Sequence, residues 1–281
     1  MTDGNKISII DAGELSKPAN TLVECIRDAT GVLFEPHRIR RKARADAEAK
    51  VLAAKADIET DELYRRALHR LASEEAKKQE NIENIMEGAL PNIADSADPE
   101  KVDKDWLSNF IDKIKTISDE DVQEVWSKIL SGETNTPGSY SKKTINILHE
   151  LDKSDAEMIN KLFRFMWVSG EPMVLVFDVR DEIYNKNGIN FETLKHLSSI
   201  GLIYFDNLTS YSRDDLKGIM TASYYGRKIT LDIGGKGNGK ISLGRVMLTK
   251  IGVELASLSN SSSVDGFYEY VLSKWEDIIC C

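Results

Sequence analysis

Three helix starts written into residues 117–166 (ISDEDVQEVWSKILSGETNTPGSYSKKTINILHELDKSDAEMINKLFRFM) constrain this chain more than any other feature. Ser118 stands before an acidic first turn, Asp119-Glu120-Asp121. A hydroxyl there is placed to cap free amides, and the carboxylates suit the positive end of the helix dipole. Pro137-Gly138 breaks the chain, and Ser141 is placed to cap the next helix. Ser154-Asp155-Ala156-Glu157 has the spacing of a capping box opening a third. A chain that spends its clearest signals on helix ends is committed to a helical centre.

The remaining composition narrows the function classes. The chain has 281 residues and a formal net charge of −9, which argues against a generic polyanion binder but not against a local basic patch. Three cysteines, Cys25 and the adjacent Cys280-Cys281, make no disulfide framework and fit a reducing cytoplasm. The N-terminal MTDGNKISIIDAGELSK carries acids and lacks the apolar core of a secretory signal. No apolar run reaches the roughly 18 residues of a membrane span. The expected location is therefore cytoplasmic.

Along the chain, Leu22, Val23, Ile26, Ala29, Val32 and Leu33 share one helical face behind Pro18, which suits a first turn. Residues 37–90 are rich in Ala, Glu, Lys, Arg and Leu, with Gly88 as the one breaker near the end. Their larger apolar positions include Val51, Leu52, Ile58, Leu63, Leu68, Leu71, Ile82, Ile85 and Met86, and no strict heptad is apparent. One or two long helices are expected, in an αα-hairpin or a loose bundle. Residues 91–101 (PNIADSADPEK) are polar and acidic, a candidate boundary. Trp106, Leu107, Phe110, Ile111 and Ile114, then Trp126, Ile129 and Leu130, continue a helical apolar face. After Met166 the texture changes. Residues 172–177 and 202–205 read as strands, with short helices at 178–185 and, capped by Asn190, up to Ser199. Residues 222–225 and 227–233 read as a hairpin turning at Gly226, 240–249 as a single strand, 251–258 as a helix and 264–279 as a terminal amphipathic helix. The order of elements is that of a winged helix-turn-helix.

Chemistry is sparse. Gly234 to Lys240 (GGKGNGK) has the glycines and lysine of a phosphate loop, but Ile241 stands where the magnesium-binding hydroxyl belongs, and a strand follows where a helix is required. A hairpin tip is the better description. His37, His69, His149 and His196 are scattered without metal-ligand spacing. Ser139 and Ser141 lack a base and a nucleophile elbow. Trp106, Trp126, Trp167 and Trp275 sit at helical spacing among apolar neighbours as core anchors. No catalytic residue, metal ligand or cofactor is assigned, and no enzyme activity is expected. Two basic clusters remain. Arg227, Lys228, Lys236, Lys240 and Arg245, with Lys195 on the presumed recognition helix, are candidate nucleic-acid contacts. Arg38, Arg40, Arg41, Lys42 and Arg44 are candidate contacts for anionic lipid or phosphate, although packing of the preceding helix is favoured over a membrane anchor.

Several of these stretches carry a family resemblance. Residues 35–42 (EPHRIRRK), 74–82 (EEAKKQENI), 126–133 (WSKILSGE), 137–144 (PGSYSKKT) and 177–184 (FDVRDEIY) together resemble an uncharacterised bacterial family of unknown function. More distantly, residues 117–163 are similar to the Abi-alpha abortive-infection family, through the Ser-Asp-Glu start, the Trp126…Ile129-Leu130 pattern and Asp155-Ala156. That likeness implies a role in phage defence and brings no catalytic residues.

The expected fold is therefore mainly α with a small β part. A long-helix region (1–94) precedes a central helical domain (95–153), a winged-helix-like domain (154–260) and a C-terminal helix (261–281). The expected function is a non-enzymatic interaction or sensor protein acting through helical oligomerisation, with a protein partner or a second copy. The alternatives are a nucleic-acid-binding regulator and a peripheral membrane-associated effector.

Overall fold

The computed structural model describes residues 15–32, 34, 62–214 and 216–280. The protein is mainly α with a small β part. Contacts divide it into two compact units, Met1–Ile145 and Asn146–Cys281.

In the first unit, helix α1 (Lys17–Thr30) starts at Ser16, whose hydroxyl accepts from the Ala19 amide, and stops at Gly31, held left-handed at φ 75°. Its buried face is Ala19, Leu22 and Ile26, packed on α3 (Lys104–Ile114) and the short turn at Pro99–Lys101. The apolar side of α1 is thus spent on protein. Helix α2 (Glu62–Ala89) packs through its C-terminal third on α4 (Glu120–Asn135). Their backbones approach closely at Gly88, where a Cβ would stand 2.5 Å from Ser127 Oγ. That hydroxyl donates to the Ile85 carbonyl at 2.9 Å. Residues 91–101 are tied in: the Asn135 side chain accepts from the Ala94 amide at 2.8 Å and donates to the Asn92 carbonyl at 2.9 Å. The core stacks Trp106 on Phe110 and tilts Phe110 against Trp126.

A buried carboxylate fixes the turn after α4. Glu133 accepts from the Gly138 amide at 2.7 Å and the Tyr140 amide at 2.9 Å. The Tyr140 carbonyl accepts from Trp106 Nε1 at 2.7 Å. Helix α5 (Lys142–Glu150) follows, with Ser141 Oγ accepting from the Thr144 amide as expected.

Two other helix starts fall one or two residues from their expected place. Asp119, not Ser118, caps α4, accepting from the Val122 amide. Asp152, not Ser154, opens α6 (Lys153–Phe163), and the box is closed by Asp155 rather than Glu157. An aspartate carboxylate competes with a nearby serine on equal terms for free amides.

The second unit places α6, α7 (Glu182–Asn185), α8 (Phe191–Ser199), α9 (Lys250–Ala256) and α10 (Phe267–Lys274) around three small antiparallel sheets. The largest has the order β2-β1-β5-β6, from β1 (Met166–Ser169), β2 (Glu171–Val174), β5 (Ile219–Tyr224) and β6 (Arg227–Asp232). Strand β3 (Ile203–Phe205) pairs with β8 (Val246–Leu248), and β4 (Tyr211–Arg213) with β7 (Ile241–Gly244). The β5–β6 hairpin turns through Tyr225 and Gly226 at φ 45° and 86°, the signature of a tight turn with both central residues left-handed.

Several expectations change here. Trp167 lies in β1, not on a helix, though it is a core anchor like the other three tryptophans. The single strand expected over 240–249 is two strands with different partners, parted at Arg245 just after Gly244. The glycine-rich loop is not a hairpin tip, because β6 and β7 belong to different sheets. The terminal helix is the shorter α10 followed by a 3-10 turn at Glu276–Ile278.

Aromatic packing dominates this core. Phe165, Trp167, Tyr184, Tyr224, Phe267 and Trp275 are buried with ring contacts among them. The tyrosines spend their hydroxyls locally. Tyr224 donates to the Arg164 carbonyl and accepts from the Val264 amide, both at 2.7 Å, and burial pushes its phenol up to about 12. Tyr184 donates to the Leu175 carbonyl at 3.2 Å. Burial raises the Tyr270 phenol, as does its bond to Asp181. Ile129, Leu130, Leu162, Leu194, Leu197, Leu202 and Leu248 are buried and Leu148 is half-buried.

Candidate functional site

Helix α2 carries the feature with the clearest capacity to act on something else. Residues 62–77 (ELYRRALHRLASEEAK) are exposed at every position. Even so, Leu63, Tyr64, Leu68 and Leu71 are 65%, 58%, 40% and 56% exposed. The apolar positions are ordered. Tyr64, Leu68, Leu71, Glu75, Lys78, Ile82, Ile85 and Ala89 follow one another at alternating spacings of four and three, a continuous heptad seam. Its C-terminal part, Ile82, Ile85 and Ala89, is buried in the first unit. Its N-terminal part projects into solvent on the same helical face.

A polar layer separates the two halves. Lys78 Nζ lies 2.6 Å from Glu75 Oε1, and this bond raises the lysine's pKa. Beside the layer is an open cleft of about 400 Å³, lined by Thr30, Gln79, Ser108, Asp112 and Lys115 among others. Lys115 pairs with Asp112 at 2.5 Å. The cleft is therefore charge-balanced. Around the exposed seam, Arg65, Arg66, His69 and Arg70 give way to Glu74 and Glu75, with Arg70 3.6 Å from Glu74.

The basic residues singled out in the second unit do not gather into one free surface. Arg227 pairs with Glu269 at 2.8 Å and lies over the Tyr268 ring at 3.5 Å. Lys236 Nζ donates to the Ile279 carbonyl at 2.9 Å. Lys240 sits 3.6 Å from Asp214, and Arg245 donates to the Asn207 carbonyl. Lys228 is exposed at the start of β6, and Lys195 is exposed on α8. Arg38, Arg40, Arg41, Lys42 and Arg44, with Val51, Leu52 and Ile58, lie outside the described residues.

In the glycine-rich loop, the amides of Gly237 and Gly239 donate to the Asp232 and Ile233 carbonyls, and that of Gly235 to the Asp232 carboxylate. A cradle whose N–H groups are already bonded has little left for a phosphate. His196 Nε2 lies 2.6 Å from Asp155 Oδ1, tying α8 to α6. The Arg180 guanidinium holds the Asp178 carboxyl down at about 2. The Cys25 thiol is raised by burial and by the nearby Glu100 and Asp28, which disfavours the reactive thiolate. Among the described residues, no group of His, Cys, Asp and Glu is arranged to hold a metal ion, and no helix is long and apolar enough to cross a membrane.

Two features escaped the sequence. The seam was hidden because two of its positions are Glu75 and Lys78. Glu133 was hidden as one carboxylate among many, yet an acid in the last turn of a helix opposes the dipole, and that misfit was the available signal.

No curated protein and no solved structure matches the chain. A family model does match, over residues 65–272, from the exposed part of α2 to α10. The chain therefore belongs to the family described as Protein of unknown function (DUF2806).

Proposed function

We propose that this protein is a non-enzymatic interaction protein that assembles through the N-terminal half of α2. The observation that carries this is the exposed seam of Tyr64, Leu68 and Leu71 in line with the buried seam of the same helix. A helix is amphipathic in order to bury its apolar face, and this part of α2 leaves that face in water. The resemblance of residues 117–163 to Abi-alpha supports placing the role in phage defence or a stress response. The test is the size of the native protein in nuclease-treated lysate of its own cells, compared with Leu68→Glu/Leu71→Glu. The wild-type chain is expected in a species larger than 31.5 kDa, and the variant in a smaller one. Migration of both at the monomer size overturns the proposal.

A second reading has an observation of its own. The helix pair α7–α8, followed by the antiparallel β3–β8 pair, supports a winged-helix variant with α8 as the recognition helix. On this reading the protein is a nucleic-acid-binding regulator. The engagement of Arg227, Lys236, Lys240 and Arg245 with protein groups weighs against it. Its test is binding to duplex DNA that weakens steeply with salt and falls in Lys195→Ala/Lys228→Ala. No salt-sensitive binding removes it.

A further inference from the structure

We infer that the glycine-rich loop is a latch. It fastens residues 279 and 280 along the outer edge of β6 and keeps that edge from pairing with another chain. The latch lies within the second unit and is independent of what α2 binds.

Strand β6 stands last in the order β2-β1-β5-β6, so one side of it carries no strand of that sheet. Such an edge offers its backbone groups to any extended chain that meets it. The carbonyls of Lys228, Thr230 and Asp232, at alternate positions, face this side, and each accepts from a different element. The Tyr268 hydroxyl donates to Lys228 at 3.3 Å. The Gly237 amide donates to Asp232 at 3.0 Å, and the Cys280 amide to Thr230 at 2.9 Å. Ile279 also forms an antiparallel bridge with Leu231. Residues 279 and 280 therefore lie beside the middle of β6 as a short added strand.

The loop closes this arrangement. Its amides are spent within it, and its glycines sit where backbone approaches backbone. A Cβ at Gly234 would stand 2.4 Å from the Gly218 nitrogen, and one at Gly237 2.9 Å from the Ile233 carbonyl oxygen. A loop packed on itself in this way holds Lys236 in one place, and Lys236 Nζ donates to the Ile279 carbonyl at 2.9 Å. The lysine that the motif would offer to a phosphate is thus committed to a backbone carbonyl. Upstream, Trp275 is buried, and its Nε1 donates to the Ser242 carbonyl at 3.1 Å. The segment is anchored at Trp275, turns at Glu276–Ile278 and is fastened at Ile279. Lys236 is exposed, and Ile279 and Cys280 are half-buried. Few contacts hold the fastened end, so it can open locally without unfolding the core behind it.

The experiment uses the full chain with Cys281→Ser as the reference protein. Thiols are labelled with a maleimide, and the rate at Cys280 is read by peptide mapping. Lys236→Ala is expected to label roughly three- to tenfold faster, the range set by losing one hydrogen bond. Lys236→Arg keeps a donor and should stay near the reference. Lys240→Ala should too, because that lysine faces Asp214 at 3.6 Å instead. On standing, Lys236→Ala should also scatter more light than the reference, as freed edges associate. A Cys280 rate unchanged by Lys236→Ala overturns the latch. Equal acceleration by Lys240→Ala overturns it as well, since the loosening would then be general. Faster labelling with no added scattering overturns the shielding of the β6 edge.

Discussion

Gly244→Ala is expected to destabilise the second unit by about 4 kcal/mol, enough to cost a marginally stable unit most of its folded population. Two effects add. Gly244 has φ 85°, a conformation that a Cβ penalises by roughly 1–3 kcal/mol when held in place. A Cβ at that position would also lie 2.2 Å from the Val176 carbonyl oxygen and 2.5 Å from its carbon. Those are backbone atoms, so no rotamer change relieves the contact. Crowding of this kind costs about 1–3 kcal/mol more. Val176 is held where it is by its bridge to Gly244 and by the Arg245 amide, which donates to its carbonyl at 2.7 Å. The measurement is urea unfolding followed by the near-UV signal of the aromatic core. Gly226→Ala is the control, because it shares a positive φ of 86° but has nothing within 4 Å of the added carbon. It should lose markedly less. Equal losses at the two positions would show that the backbone contact contributes nothing.

Glu133→Ala is the second large effect, expected at about 3 kcal/mol in the first unit. The substitution strands the Gly138 and Tyr140 amides, and a buried donor left unpaired costs roughly 1–3 kcal/mol. It also frees the turn that presents the Tyr140 carbonyl to Trp106 Nε1. Glu133→Gln retains one carbonyl acceptor and should recover part of the loss. Tryptophan fluorescence during denaturant unfolding reads the change. A Glu133→Ala protein as stable as wild type would mean that water replaces the carboxylate in this turn.

The parts of the fold visible in the sequence are those set by neighbours within a few residues. The caps at Ser141 and Asn190, the break at Pro137-Gly138 and the turn at Gly226 each depend on local groups, and each is where it was expected. Asp119 and Asp152 took the capping role because two good cap residues lay within a turn of each other and only the final geometry chose between them. Strand β1 stayed hidden for a different reason. It is a four-residue strand whose main register is with the adjacent β2, from Met166–Val174 to Ser169–Glu171, and its place in the larger sheet comes from Val168 beside Ser223 of β5, a partner too far along the chain for a local pattern to report. Strands β7 and β8 part just after Gly244, where Val176 needs the space, which again is tertiary information. The candidate site was half legible. Leu68 and Leu71 were visible as apolar positions, but their common seam with Ile82 and Ile85 passes through a glutamate and a lysine.

That Glu75–Lys78 layer also divides the selective pressures on the helix. Residues on its C-terminal side fill a core, so a poor substitution there lowers the amount of folded protein whatever the protein binds. Residues 62–77 on its N-terminal side are exposed, so substitutions there weigh less on the fold. On the proposed reading of α2 as a docking helix, a lineage could change what it assembles with by altering Tyr64, Leu68 and Leu71, at little cost to the fold.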